Sequence, residues 1–135
     1  MEWKLGQTSS HGGSLTRDQI VSDCKRNLRD IISRSRVAGA TVIVTTIFPV
    51  GPVPLIKRPL WSSQIPDAVR EVNRDLLSMH EPGVIVFDTF ELLQDGGNRR
   101  SNYAADTLHL NAEGYAVLNE RLRKQLNTLE PTTPR

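Results

Sequence analysis

The chain has 135 residues, 38% hydrophobic and 24% charged, which suits one domain with a buried core and sets aside disordered and membrane classes. Its formal charge of +2 is not gathered into a patch: Arg99 and Arg100, then Arg121, Arg123 and Lys124, are sparse, which argues against nucleic-acid binding. No apolar run approaches the roughly 18 residues that cross a bilayer, and MEWKLGQTSS lacks a basic start followed by a long apolar segment, so no membrane span and a cytoplasmic location are expected.

Glu2 to Leu5 reads as a short strand that runs into GQTSSHGGS, a loop by its glycines and small residues. Thr16 and Gln19 have the spacing of a capping box. Apolar residues at Ile20, Val21, Cys24, Leu28, Ile31 and Ile32 then predict a helix that ends at Gly39. Cys24, the single cysteine, lies on that apolar face and reads as a small buried hydrophobe. ATVIVTTIF, residues 40–48, is too continuously apolar for a strand with one wet face, so a buried parallel strand is expected.

PVGPVPLIKRPLW, residues 49–61, carries four prolines and no period, and predicts an irregular loop. Helical spacing resumes with Ile65, Val69, Val72, Leu76 and Leu77 and stops before Pro82 and Gly83. VIVFD, 84–88, is a second buried strand. QDGGNRRSNYAAD is a long polar loop, after which Asn111 can cap a last helix with Ala112, Tyr115, Leu118, Leu122 and Leu126 as its inner face. EPTTPR is a flexible tail over 130–135, which leaves 1–129 as a single domain.

Alternating strands and helices predict an α/β fold, a parallel sheet with helices packed on its faces and right-handed crossovers. Chemistry in such folds collects where loops leave the carboxyl ends of strands. The loops 7–15, 49–63 and 94–111 all fall at that edge.

Asp106 and His109 lie in the last of these loops. A carboxylate three residues before a histidine can accept the ring Nδ1 proton, fix the tautomer and leave Nε2 outward as a base. The same spacing also fits a turn-forming aspartate beside a surface histidine.

DTLHLNAEGYAVLNERL, residues 106–122, preceded by Tyr103, resembles the last block of the SGNH hydrolases, also called the GDSL esterase and lipase family. VIVTTIFPVGP and FDTFELL resemble family strands ahead of the closing loop, so the likeness runs through most of residues 1–127. The resemblance implies a three-layer, flavodoxin-like sheet and hydrolysis of small-molecule carboxylic esters, with Asp106 as orienting acid and His109 as general base. It implies no cofactor.

The sequence departs from the family at its front. No Gly-Asp-Ser occurs in it, and KLGQTSSHGG corresponds to the family's Gly-x-Asn block, with Gly6 matching and Thr8 in place of the asparagine as oxyanion donors. A competing alignment sets GQTSSHG over the serine block and makes Thr8, Ser9 or Ser10 the nucleophile. Under the first alignment the domain is N-terminally truncated, and a hydroxyl nucleophile comes from elsewhere or is lost.

A missing central strand exposes a hydrophobic sheet edge, to be covered by a second copy in a homodimer that pairs through the N-terminal strand or by a chain carrying the front half. The alternative to an enzyme is a non-catalytic interaction or scaffolding domain of the same fold. Of the remaining candidates, His11 reads as a solvated loop residue, His80 as a helix-end cation and Asp88 as a turn cap. Trp61 reads as a pocket wall or a closure of the sheet top. The histidines have no metal-ligand spacing, so no metal is expected.

Overall fold

The computed structural model describes residues 15–60 and 62–129. The strand, loop and tail predicted at the two ends lie outside the described residues. Helix α1, Arg17–Val37, begins as its capping box demands. The Thr16 hydroxyl accepts the Gln19 N–H at 3.2 Å and the Gln19 side chain accepts the Thr16 N–H at 2.8 Å, so two otherwise unpaired donors are satisfied. The chain leaves α1 through Gly39 at φ +84°, a left-handed conformation that costs glycine little.

Strands β1, Val42–Thr45, and β2, Val84–Phe87, pair in parallel from Val42 opposite Val84 to Thr45 opposite Phe87. Alternation along the strands then divides the core. Val42, Val44, Val84 and Val86 face Val21 and Ile32 of α1 and Val72 and Leu76 of α2, Ile65–Leu77. Ile43 and Phe87 belong to the opposite cluster with Leu93, Leu110 and Leu118, the last on helix α4, Ala112–Asn127. Helices on both faces leave little of either strand wet, which is why Val42–Val44 and Val84–Phe87 are apolar without alternation. Arg17 and Lys25 pair with Glu71 at 2.6 and 2.7 Å, and Arg29 with Asp75 at 2.8 Å, tying α1 to α2 along their solvent side.

Three features differ from the sequence expectation. The strand expected over 40–48 ends at Thr45, because the backbone of Ile47 is claimed by a side chain. Buried Asn73 of α2 accepts the Ile47 N–H at 2.7 Å and donates to its carbonyl at 2.9 Å. The strands are also mostly half-buried, and among the described residues β1 pairs with β2 alone.

The helices bury narrower stripes than their apolar residues suggest. On α1, Val21 and Ile32 are buried while Ile20 and Ile31, one residue earlier and so about 100° around the axis, face solvent. On α4 the buried residues are Gly114 and Leu118, whereas Tyr115 and Leu126 are exposed. Gly114 explains the shift: a Cβ there would meet the Tyr103 carbonyl at 3.0 Å and Tyr103 Cβ at 3.1 Å, so glycine lets the helix rest directly on the preceding turn.

Candidate active site

The segments that leave the carboxyl ends of the two strands are built from short, hydrogen-bonded pieces. Asp88 caps α3, Thr89–Leu93, by accepting the Glu91 N–H at 3.1 Å. Thr46, just past β1, donates its hydroxyl proton to Asp88 at 3.1 Å and accepts the Phe90 N–H at 2.8 Å. Thr89 in turn donates to the Thr46 carbonyl at 2.6 Å. The carboxyl edge of the sheet is thereby closed by side chains rather than by further ladder.

The stretch read as one long polar loop contains a hairpin. Strands β3, Gln94–Asp95, and β4, Asn98–Arg99, are antiparallel and joined by Gly96 and Gly97 at φ +59° and +83°, the paired positive angles of a type I′ turn. A single helical turn, Ser101–Tyr103, follows, and an Ala104–Leu110 bridge closes the turn that bears Asp106 and His109. Asn111 then caps α4, accepting the Gly114 N–H at 2.9 Å. The loop after β1, residues 46–64, likewise contains a 3-10 helix, Leu55–Leu60.

Within the turn, His109 Nδ1 lies 2.8 and 3.0 Å from the two carboxylate oxygens of Asp106. Asp106 Oδ1 also accepts the backbone N–H groups of Leu108 at 2.8 Å and His109 at 2.7 Å. The His109 backbone amide, then the His109 ring and the Leu108 amide, hold the Asp106 carboxyl well below the usual carboxylate range. An ionised carboxylate has no proton to give, so Nδ1 is the donor, and in the neutral ring Nε2 is then the basic nitrogen. Both side chains are open to solvent, His109 being 73% exposed.

Arg99, on β4, is buried. Its Nε donates to the Pro49 carbonyl at 3.1 Å. One terminal nitrogen donates to the carbonyls of His109 at 2.7 Å and Asp106 at 3.3 Å, and the other to that of Leu108 at 2.7 Å. Burial lowers its pKa from the ordinary arginine value, with the Asp106 charge acting the other way. Backbone bonds complete the junction: the Arg99 N–H reaches the Val50 carbonyl at 3.0 Å and the Gly51 N–H that of Thr107 at 2.9 Å. At Gly51 a Cβ would stand 3.2 Å from the Thr107 carbonyl and 3.3 Å from that of Asp106.

The loops 49–63 and 94–111 therefore meet at the carboxyl edge of the sheet. Gly6, Thr8, Ser9, Ser10, His11 and Trp61 lie outside the described residues. His80 is exposed beyond the end of α2, and Cys24 is half-buried against the first core cluster. A cavity of about 600 Å³ between α2 and α3, with Arg17, Arg70 and Asp67 among its walls, does not include Asp106 or His109. Arg99 and Gly51 were not singled out as site residues by sequence. The local signal was Asp95-Gly96-Gly97-Asn98, which in a polar stretch is a two-residue hairpin pattern that makes the next position a strand residue.

Helices on both faces of a parallel sheet, with loops converging at its carboxyl edge, define an α/β domain. The family model for the GDSL-like lipase/acylhydrolase family matches residues 12–117, and the chain belongs to that family. Two solved structures share the fold. A Streptococcus pneumonia protein proposed to be a platelet activating factor matches with a TM-score of 0.66 and 24% identity over 82% of this chain and 53% of that one. A GDSL-like lipase from Bacteroides thetaiotaomicron matches with a TM-score of 0.64 and 15% identity over 85% of this chain and 54% of that one. The chain thus spans about half the length of each. A search of curated proteins returned no match.

Proposed function

We propose that this chain carries the base and orienting acid of a GDSL-type ester hydrolase, with Asp106 fixing His109 and His109 moving the proton. The observation that supports this most is the Nδ1 contact with the Asp106 carboxylate at 2.8 Å, which directs the free Nε2 of an exposed ring toward solvent. A hydroxyl bonded to Nε2 loses its proton to the ring as its oxygen attacks the ester carbonyl carbon. The imidazolium then protonates the departing alcohol oxygen as the carbon–oxygen bond breaks, and water repeats the sequence to release the acid. Gly6 and Thr8 are the proposed oxyanion donors.

The hydroxyl is the part that the sequence does not supply in the family's usual form, since it lacks Gly-Asp-Ser. Ser9 or Ser10 fills the role, or a serine is supplied by a complementing chain that covers the N-terminal strand edge. The missing block also favours a second reading, a non-catalytic binding domain of the same fold. p-Nitrophenyl acetate separates the two. Turnover above background that disappears in His109→Ala supports the enzyme, while equal rates for parent and variant leave the binding domain. A fluorophosphonate probe adds the nucleophile: a phosphonylated Ser9 or Ser10, found by mass spectrometry, distinguishes a triad from simple imidazole catalysis.

A further inference from the structure

We infer that Arg99 is a positioning residue, whose guanidinium sets the place and orientation of the Asp106–His109 pair by gripping the backbone of the turn that carries it. All of its described partners are carbonyl oxygens, and they fall into two groups. Asp106, Leu108 and His109 belong to the four-residue turn itself, and Pro49 belongs to the exit of β1. The fork therefore fastens a solvent-facing turn to the rigid edge of the sheet.

The side chain required is specific. Three nitrogens in one plane reach four carbonyls on two segments, which the single ammonium of lysine does not match. The turn is also tied to the same segment by the Gly51 N–H to the Thr107 carbonyl at 2.9 Å and by the Thr107 hydroxyl to the Pro52 carbonyl at 3.4 Å. Asp106, Leu108 and His109 are nevertheless exposed and contribute little packing, and among the described residues only Arg99 reaches the carbonyls of all three. The backbone contacts of Gly51 bring the two segments close, and the guanidinium locks their relative position. Asp106 fixes the ring within the turn; Arg99 fixes the turn to the fold. A displacement of the turn by about 1 Å is enough to cost roughly 100-fold in turnover, so the grip matters to chemistry even though Arg99 touches no substrate.

This deepens the hydrolase reading proposed above, and its test does not depend on turnover. The chain has three histidines, so the ring Nδ1 proton of His109 is readily assigned by NMR through its loss in His109→Ala. In the parent it is expected downfield, as a proton shared with a carboxylate, and is recorded at low temperature because the ring is open to solvent. In R99K that signal should broaden or vanish, while the amide spectrum of α1 and α2 stays as in the parent. In Gly51→Ala, which keeps Arg99 but presses on the turn, it should shift in the same direction by less. Where turnover is measurable, R99K should lower kcat by about 100-fold and leave KM near the parent value.

An unchanged Nδ1 signal in folded R99K overturns the inference. So does an R99K chain that fails to fold, because the arginine then supports the core rather than one turn. A parent with the downfield proton but no esterase activity sinks the hydrolase reading and leaves this one standing.

Discussion

Asp106 has two carboxylate oxygens and accepts three N–H donors, two from the backbone ahead of it and one from a ring. Its folded pKa is depressed, so its contribution to stability is present above the unfolded value of about 3.9 and is lost only as pH falls through the lower folded value. A ¹³C titration of its carboxyl should find it still ionised at about pH 3; a midpoint at the ordinary aspartate value would remove the three-donor account. Asp106→Asn keeps the size but brings an N–H to a position that needs an acceptor, so the ring loses its fixed tautomer. Turnover dependent on His109 should then fall by about 10⁴-fold, and a loss of less than tenfold would mean the acid does not orient the base. At this scale the pair was legible in the sequence because both partners and the turn between them lie within four consecutive residues. Arg99 was not: its partners at Pro49 are fifty residues away, and a lone arginine in a polar stretch looks like a solvated charge.

Among the elements, the long helices α1, α2 and α4 were readable from their period, with Thr16, Gly39 and Asn111 as punctuation, whereas the five-residue α3 was not foreseen. The strand ends and buried stripes were not, since each depends on a residue from a distant segment. Asn73 is the clearest case, a polar residue inside an apolar helix face whose amide stands in for a strand neighbour at Ile47. Replacing it with alanine removes both bonds to the Ile47 backbone and should cost about 2 kcal/mol in urea unfolding. Gly114→Ala sets two effects against each other. Helix propensity favours alanine by up to about 1 kcal/mol, but a new Cβ pressed 3.0 Å from a backbone oxygen is an overpacked contact costing about 1–3 kcal/mol. The expected sum is a lower melting temperature, and a higher one would show that α4 can lift from Tyr103 freely.

For the molecule as a whole, alternating strand and helix patterns were enough to indicate the layered α/β fold, because the continuous apolar runs at 42–44 and 84–87 require cover on both sides. The sequence did not foretell which edges of the sheet would be open. Among the described residues the side of β1 away from β2 carries no strand, and our proposal that a second copy or a front-half chain covers the N-terminal strand edge has a direct measurement. Light scattering should report a mass above 15.1 kDa for the isolated chain, or a shift to a one-to-one complex when a front-half chain is added; a monodisperse monomer indifferent to both would end that proposal. The junction around Pro49 has one more consequence. Ile47 is clasped by α2, Val50 and Gly51 are tied to the hairpin and the acid–base turn, and the next helix starts at Ile65. The 3-10 helix Leu55–Leu60 lies between these two piers. Doubling the length of this connection would add only about 0.6 kcal/mol of closure entropy, so this is where evolution or an engineer can lengthen the chain without disturbing the Asp106–His109 turn.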